Sequence, residues 1–224
     1  MSRPIAVLRP EPGNSATIAR IEALGLTALR LPLFDVQALD WTAPDPSGFD
    51  ALVLTSANAV RHAGAGLGSL RHLPVYAVGD ATAAAARAAG LEISYAGARD
   101  AADLLNTATA RGVRRALQLG GRDRAVADDP IIECAIAVYA SIERTIAPAA
   151  LAGLSGSVAL LHSPRTARRF ADLTEQASLD RRTIRLAAIS AAAAGAAGDG
   201  WDSVAIAIAP NDAAVIDRAC ALAD

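Results

Sequence analysis

Short apolar runs alternate with helix-like segments along nearly the whole chain. IAVL (5–8) precedes a helical pattern near 15–24, and 27–31 returns as a strand. ALVL (51–54), VYAV (75–78), EISY (92–95) and RALQL (115–119) each lead into an Ala-rich or amphipathic segment. After residue 150 the rhythm resumes with SVALL (157–161), RLAAI (185–189) and SVAIAI (203–208). Continuous apolar runs this short, separated by helices, belong to strands buried on both faces. The pattern predicts an α/β chain of parallel sheets.

Two segments break the rhythm. LPLFDVQAL (31–39) and AIAVYASIERTI (135–146) are extended in character and are not followed at once by a helix. Each borders TAPDPSG (42–48) or APAALAGLSG (147–156), so they read as linkers between domains rather than core strands. The alternative is a pair of edge strands on one sheet. An internal repeat supports two domains. LVLTSANAVR (52–61) and ALLHSPRTAR (159–168) both end an apolar run at a serine, Ser56 or Ser163, and pass into a helical segment carrying arginine. AVGDATAAAARAAG (77–90) likewise resembles AISAAAAGAAGDG (188–200), aligning Gly79 with Ser190. Two similar flavodoxin/Rossmann-like domains, with their strand ends lining a cleft, are the expected architecture.

Composition narrows the chemistry. The 224 residues are 53% hydrophobic and 20% charged, a globular balance. No apolar run approaches the roughly 20 residues needed to span a bilayer, and the stretch at 5–8 is too short for a signal-peptide core. A cytoplasmic protein without a membrane partner is expected. The net charge of −2 gives no electrostatic case for nucleic acid. Cys134 and Cys220 read as buried free thiols, and His62, His72 and His162 lack metal-ligand spacing. All 21 basic residues are arginine. Coding bias accounts for this in part, but guanidinium also clamps carboxylates and phosphates bidentately where lysine does so poorly.

The strand-to-helix corners are where that chemistry gathers. Helix N-termini expose unpaired N–H groups and a positive dipole end. Ser56 and Ser163 stand there, and Thr82, after Val78-Gly79-Asp80, takes the same kind of position. Capping explains each one singly. Several such corners at strand carboxyl ends make a set of anion-binding sites. LQLGGRDRA (117–125) adds a strand, two glycines that allow close ligand approach, and Arg122 opening a helix. GAGLGS (64–69) follows a helix, lacks the third glycine of a dinucleotide fingerprint, and reads as a loop. With no phosphate loop in the chain, a nucleotide cofactor is not expected.

VLRPEP (7–12), LPLFDV (31–36), LTSANAVR (54–61), PVYAVGDATAAAARAAG (74–90), GGRDRA (120–125), VY (138–139) and SPRTAR (163–168) together resemble the uroporphyrinogen-III synthase family. The resemblance implies a monomeric, cofactor-free lyase of porphyrin and haem biosynthesis. Such an enzyme dehydrates and closes linear hydroxymethylbilane to uroporphyrinogen III, inverting the last pyrrole ring through a spiro intermediate. It also implies a discontinuous domain (1–33 plus 145–224), an inserted one (36–135), and a two-stranded linker near 31–39 and 135–146.

Eight substrate carboxylates call for many distributed donors rather than one strong cluster. By position, the resemblance puts Arg9, Ser56, Asn58, Gly79, Thr82, Arg122, Ser163, Arg165 and Ser190 against the substrate, and makes Tyr139 the acid. A phenol keeps its proton at neutral pH and can share it with a leaving hydroxyl. Three family polar groups are missing: Leu8 replaces a threonine, Ala140 an arginine and Ala193 a threonine. The alternative function is a two-domain binding protein that clamps a small anion without chemistry.

Overall fold

The computed structural model describes residues 2–97, 101–123 and 129–224. In chain order the elements are β1 (Ile5–Val7), α1 (Gly13–Ala23), β2 (Ala28–Arg30), β3 (Phe34–Ala38), β4 (Ala51–Leu54), α2 (Ala57–His62), β5 (Val75–Ala77), α3 (Asp80–Ala88), β6 (Ile93–Ala96) and α4 (Ala101–Ala110). They continue with β7 (Ala116–Gly121), β8 (Ile132–Glu143), α5 (Pro148–Ala152), β9 (Val158–Leu161), α6 (Pro164–Gln176), β10 (Arg185–Ala188), α7 (Ala191–Ala196), β11 (Ser203–Ile206) and α8 (Asp212–Ala223).

The chain divides into two compact units, one of Met1–Asp35 with Glu143–Asp224 and the other of Val36–Ile142. The first holds a five-stranded sheet in the order β11-β10-β9-β1-β2, with parallel pairing throughout. Its central strands have no exposed residue because helices cover both faces. One face packs Leu8, Leu161 and Leu186 against Phe170 of α6, and the other packs Val7 and Leu160 against Ile21 of α1 and Val215 of α8. Phe170 is fully buried and stacks on Trp201 at 5.4 Å between centroids.

The second unit holds a six-stranded sheet in the order β3-β8-β7-β4-β5-β6. The pairs β7–β8, β4–β7, β4–β5 and β5–β6 are all parallel. Leu52, Leu54, Leu117 and Leu119 face α2 and α3, while Val53 and Tyr76 face Leu104 and Leu105 of α4.

Leaving out β3, the two sheets have the same plan: β4 corresponds to β9, β5 to β10, β6 to β11, β7 to β1 and β8 to β2. The second unit is inserted between the first unit's two N-terminal strands and its three C-terminal ones. The repeat in the sequence is therefore a repeat of topology.

Three expectations need correction. The segments read as linkers rather than strands do hold both points where the chain passes from one unit to the other, but they are also strands of the second sheet: β3 at the edge, with β8 beside it and paired along β7. They resemble linkers because β3 is buried only at Phe34, as suits an edge strand, and lacks a continuous apolar run. GAGLGS is not an open loop, since a 3₁₀ helix runs over Gly64–Leu70. Arg122 and Asp123 occupy a turn, and the helix expected to start there falls on residues that include Arg124, outside the described ones. Both cysteines are free, and half-buried rather than buried.

Candidate active site

In the second unit, register brings the corners into one row. Leu54 pairs with Ala77 on one side and Leu119 on the other. Two residues further on, each chain reaches Ser56, Gly79 and Gly121, and Gly121 pairs with Tyr139 of β8. These four residues form one row across four neighbouring strands, about 4.8 Å apart strand to strand: just past the ends of β4 and β5, at the last residue of β7, and within β8. In the first unit, Leu161 pairs with Ala188, so Ser163 and Ser190 lie two residues beyond that pair in the same way. The alignment of Gly79 with Ser190 is thus a fact of register.

The hydroxyls at these corners keep their donors. Ser56 Oγ accepts from Asn58 N–H at 3.2 Å, Ser163 Oγ from Thr166 N–H at 3.1 Å, and Ser190 Oγ from Ala193 N–H at 3.2 Å. Capping uses an acceptor lone pair, and the O–H proton remains to be directed by the hydroxyl rotor. Ser163 also shares a 2.9 Å hydroxyl–hydroxyl contact with Thr166. Asn58 Oδ1 accepts from Arg61 at 3.1 Å, which leaves its amide N–H groups to donate. An edge whose acceptors are occupied and whose donors are open favours anions.

Gly79 caps α3 with φ of +76°, a conformation that side chains disfavour. Here a further expectation fails. Thr82 does not hold a serine-like cap: Gly79 takes that place, and Thr82 lies buried in the helix's first turn. The backbone enters α3 through a left-handed residue, so the hydroxyl three positions on turns into the core.

The arginines differ in their engagement. Arg122 is 55% exposed, its backbone N–H held by the Tyr139 carbonyl at 2.8 Å. Arg165 lies over the Phe34 ring, 4.7 Å from its centroid. Arg9 leaves β1 half-buried and donates Nη1 to Asp212 Oδ1 at 3.1 Å.

Tyr139 is only 6% exposed and packs on Gly121 so closely that a Cβ there would stand 2.7 Å from the ring's Cζ. His62 of α2 tilts against it, with centroids 6.1 Å apart. Burial, and next the Arg61 charge, hold the His62 imidazole below its ordinary pKa.

Sequence reasoning missed a buried polar cluster in the first unit. His162 directly precedes Ser163, is 7% exposed, and meets Asp212 with Nε2 2.7 Å from Oδ1. Thr17 donates to the same oxygen at 2.7 Å, and Arg20 pairs with Oδ2. Burial lowers the His162 pKa, opposed by the hydrogen bond to Asp212 and reinforced by the Arg9 charge. A neutral imidazole therefore donates its Nε2 proton. Burial would raise the Asp212 carboxyl, but the hydrogen bonds from His162, Thr17 and Arg20 outweigh it and hold the group well below the carboxylate range. The only hint in the sequence is His162 beside the corner serine.

Two parallel-sheet units, each presenting donors at the carboxyl edge where such sheets bind ligands, define an α/β protein whose corners suit an anionic small molecule. The family model for uroporphyrinogen-III synthase HemD matches residues 15–217, and the chain belongs to that family. It is accordingly a lyase of porphyrin and haem biosynthesis acting on a tetrapyrrole. No curated protein sequence matches the chain. Among solved structures, the uroporphyrinogen-III synthetase of Helicobacter pylori 26695 is similar at 17% identity, with a TM-score of 0.68 over 98% of this chain and 99% of that one. A mutant uroporphyrinogen III synthase of the extremely thermophilic bacterium Thermus thermophilus is similar at 16% identity, with a TM-score of 0.56 over 99% of each chain. At these identities the likeness is one of fold.

Proposed function

We propose that the chain closes hydroxymethylbilane, that donors at the carboxyl edge of each sheet take substrate carboxylates, and that Tyr139 protonates the leaving hydroxyl. The observation that carries this reading is the register row of Ser56, Gly79, Gly121 and Tyr139. It sets the one phenol of the candidate set among the donors, on the same edge as Arg122. Ser56, Asn58, Arg122, Ser163, Arg165, Ser190 and Arg9 supply N–H and O–H groups to the substrate, and Gly79 keeps the α3 corner open. Thr82, buried in its helix, contributes by shaping that corner rather than by contact.

In the reaction the terminal pyrrole nitrogen pushes electrons toward the hydroxymethyl carbon, and the C–O bond breaks. The Tyr139 proton goes to the departing oxygen, so water leaves. Carbon–carbon closure onto the last ring gives the spiro species. Rearrangement then inverts that ring, and the ring carbon's proton, released at the end, restores the phenol. The net change is loss of one water. Serine and threonine hydroxyls are weaker acids and arginine does not release its proton, so no other member of the set suits the step.

We further propose that the chain acts as a cytoplasmic monomer needing no cofactor. Among the described residues no helix is long and apolar enough to cross a membrane. The test is incubation with hydroxymethylbilane generated enzymatically. Excess of the type III isomer over spontaneous type I closure is the expected result. Tight binding without a change of isomer would instead mark a binding protein.

A further inference from the structure

The residues around Arg9 hold it from three sides. Its backbone carbonyl accepts from Asn14 Nδ2 at 2.9 Å, and the same amide donates to the Val7 carbonyl at 2.8 Å. This fully buried asparagine fixes where the chain leaves β1. The guanidinium then lies flat on Gly13, the first residue of α1: a Cβ at that position would stand 2.6 Å from Arg9 Cζ and 2.8 Å from Nη2, and nearer still to Nε. Asp212 anchors the end of the side chain through Nη1, and Thr17 Oγ1 lies 3.5 Å from the same nitrogen.

The charge balance of the cluster explains what such an anchorage leaves over. Arg9 and Arg20 bring two positive charges, Asp212 brings one negative charge, and His162 is neutral through burial. One unit of positive charge remains. Asp212 is 12% exposed while Arg9 is 32% exposed, so the part of the cluster open to solvent is guanidinium. Only Nη1 of Arg9 is engaged with Asp212 and Thr17. Its other N–H groups are left for an incoming carboxylate.

We propose that Gly13 and Asp212 are positioning residues for Arg9: Gly13 by lacking a side chain, Asp212 by fixing Nη1. They set the guanidinium's plane at the carboxyl edge of β1 for one substrate carboxylate. This rests on the assignment of Arg9 to substrate binding given above. A conformationally free arginine gives up rotamer entropy on binding, and a pre-held one avoids much of that loss.

The two residues allow a test that separates positioning from stability. Gly13 is helical and carries no unusual φ, so alanine there raises intrinsic helix propensity. Gly13→Ala should therefore leave the thermal midpoint unchanged or higher while displacing Arg9. Steady-state rates of type III formation on wild type, Gly13→Ala, Asp212→Asn, Arg9→Leu and the two doubles with Arg9→Leu provide the measurement. Each single variant should raise KM roughly three- to tenfold with kcat within about twofold, as lost uniform binding does. On the Arg9→Leu background, neither Gly13→Ala nor Asp212→Asn should raise KM further, since both act through the missing side chain.

An unchanged KM in Gly13→Ala with a normal midpoint overturns the proposal. So does a KM rise that persists in full on the Arg9→Leu background. If Asp212→Asn fails to fold, the Gly13→Ala cycle alone decides. A wild-type chain that forms no type III isomer sinks the functional reading instead. A synthase in which Arg9→Leu leaves KM unchanged sinks only the role of Arg9 and of its two supports.

Discussion

Replacing Gly121 by alanine should slow catalysis without removing a polar atom. The added Cβ would lie 2.7 Å from Tyr139 Cζ, 2.8 Å from Cε2 and 3.0 Å from the hydroxyl oxygen. Ordinary carbon contacts begin near 3.5 Å, so the ring must retreat by roughly 0.8 Å or more. The ring is buried, within the core cluster that also holds Leu54, Leu119 and Val138, and has little room to retreat. Overpacking of this kind costs about 1–3 kcal/mol, which for a chain of this size lowers the midpoint by roughly 3–10 °C. Moving a reacting group by about 1 Å can cost as much as about 100-fold in rate.

Tyr139→Phe provides the reference, because it keeps the packing and removes the proton donor. Turnover should fall about 10- to 100-fold in each single variant, with KM within about threefold. The double variant should be no slower than Tyr139→Phe, since the displaced group is then already absent. The assay is the initial rate of type III formation from hydroxymethylbilane, corrected for spontaneous type I closure. A Gly121→Ala enzyme at full turnover, or a Tyr139→Phe enzyme within about twofold of wild type, would refute the acid assignment and leave catalysis to positioning alone.

Three other outcomes are expected. Ser163→Ala should lose about 1 kcal/mol of cap stability, whereas Ser163→Asp should keep the midpoint, because aspartate also caps α6, yet raise KM about tenfold by placing a like charge against the substrate; equal KM values for the two would remove Ser163 from the anion site. Arg122→Leu should raise KM more than it lowers turnover, and a pure turnover defect would contradict a carboxylate clamp. The pH dependence of the midpoint should carry His162: its folded pKa is depressed, so the unfolded chain takes up a proton from about pH 6.5 downward that the folded chain refuses, and stability that is full above that pH falls below it by up to about 1.4 kcal/mol per unit until the folded group titrates. His162→Gln keeps an N–H for Asp212 and should flatten that decline between about pH 7 and 5.5, with His62 supplying the remainder; an unchanged slope would exclude His162 as its source.

The parallel sheets were legible because their inner strands are buried on both faces, so ALVL and VALL read as unbroken apolar runs. The serine corners were legible because a cap must lie next to its helix in sequence. β3 and β8 were not, since β3 is an edge strand mostly exposed beyond Phe34 and β8 is half-buried over most of its length, so both look like extended connections. The Asp212 cluster was invisible for another reason. Its partners come from β1, α1, β9 and α8, and no periodicity links a strand exit to the first residue of a helix fifty positions later. Gly13 escaped notice, and Gly121 was read as making room for a ligand where the Tyr139 ring lies instead: a glycine leaves no sign in the sequence of which side chain packs on it.

The insertion of one unit inside the other imposes an order on biosynthesis. Val36–Ile142 is contiguous and can fold as soon as it leaves the ribosome. β1 and β2 pair with each other early, but β1 lacks its other neighbour until β9 is made, because Ile5 pairs with Val158. At about 5–20 residues per second, the N-terminal strands wait about 8–30 s with IAVL uncovered. A nascent chain of this protein thus carries an unfinished sheet edge tethered to a finished neighbour, the species for which a ribosome-associated chaperone has most use.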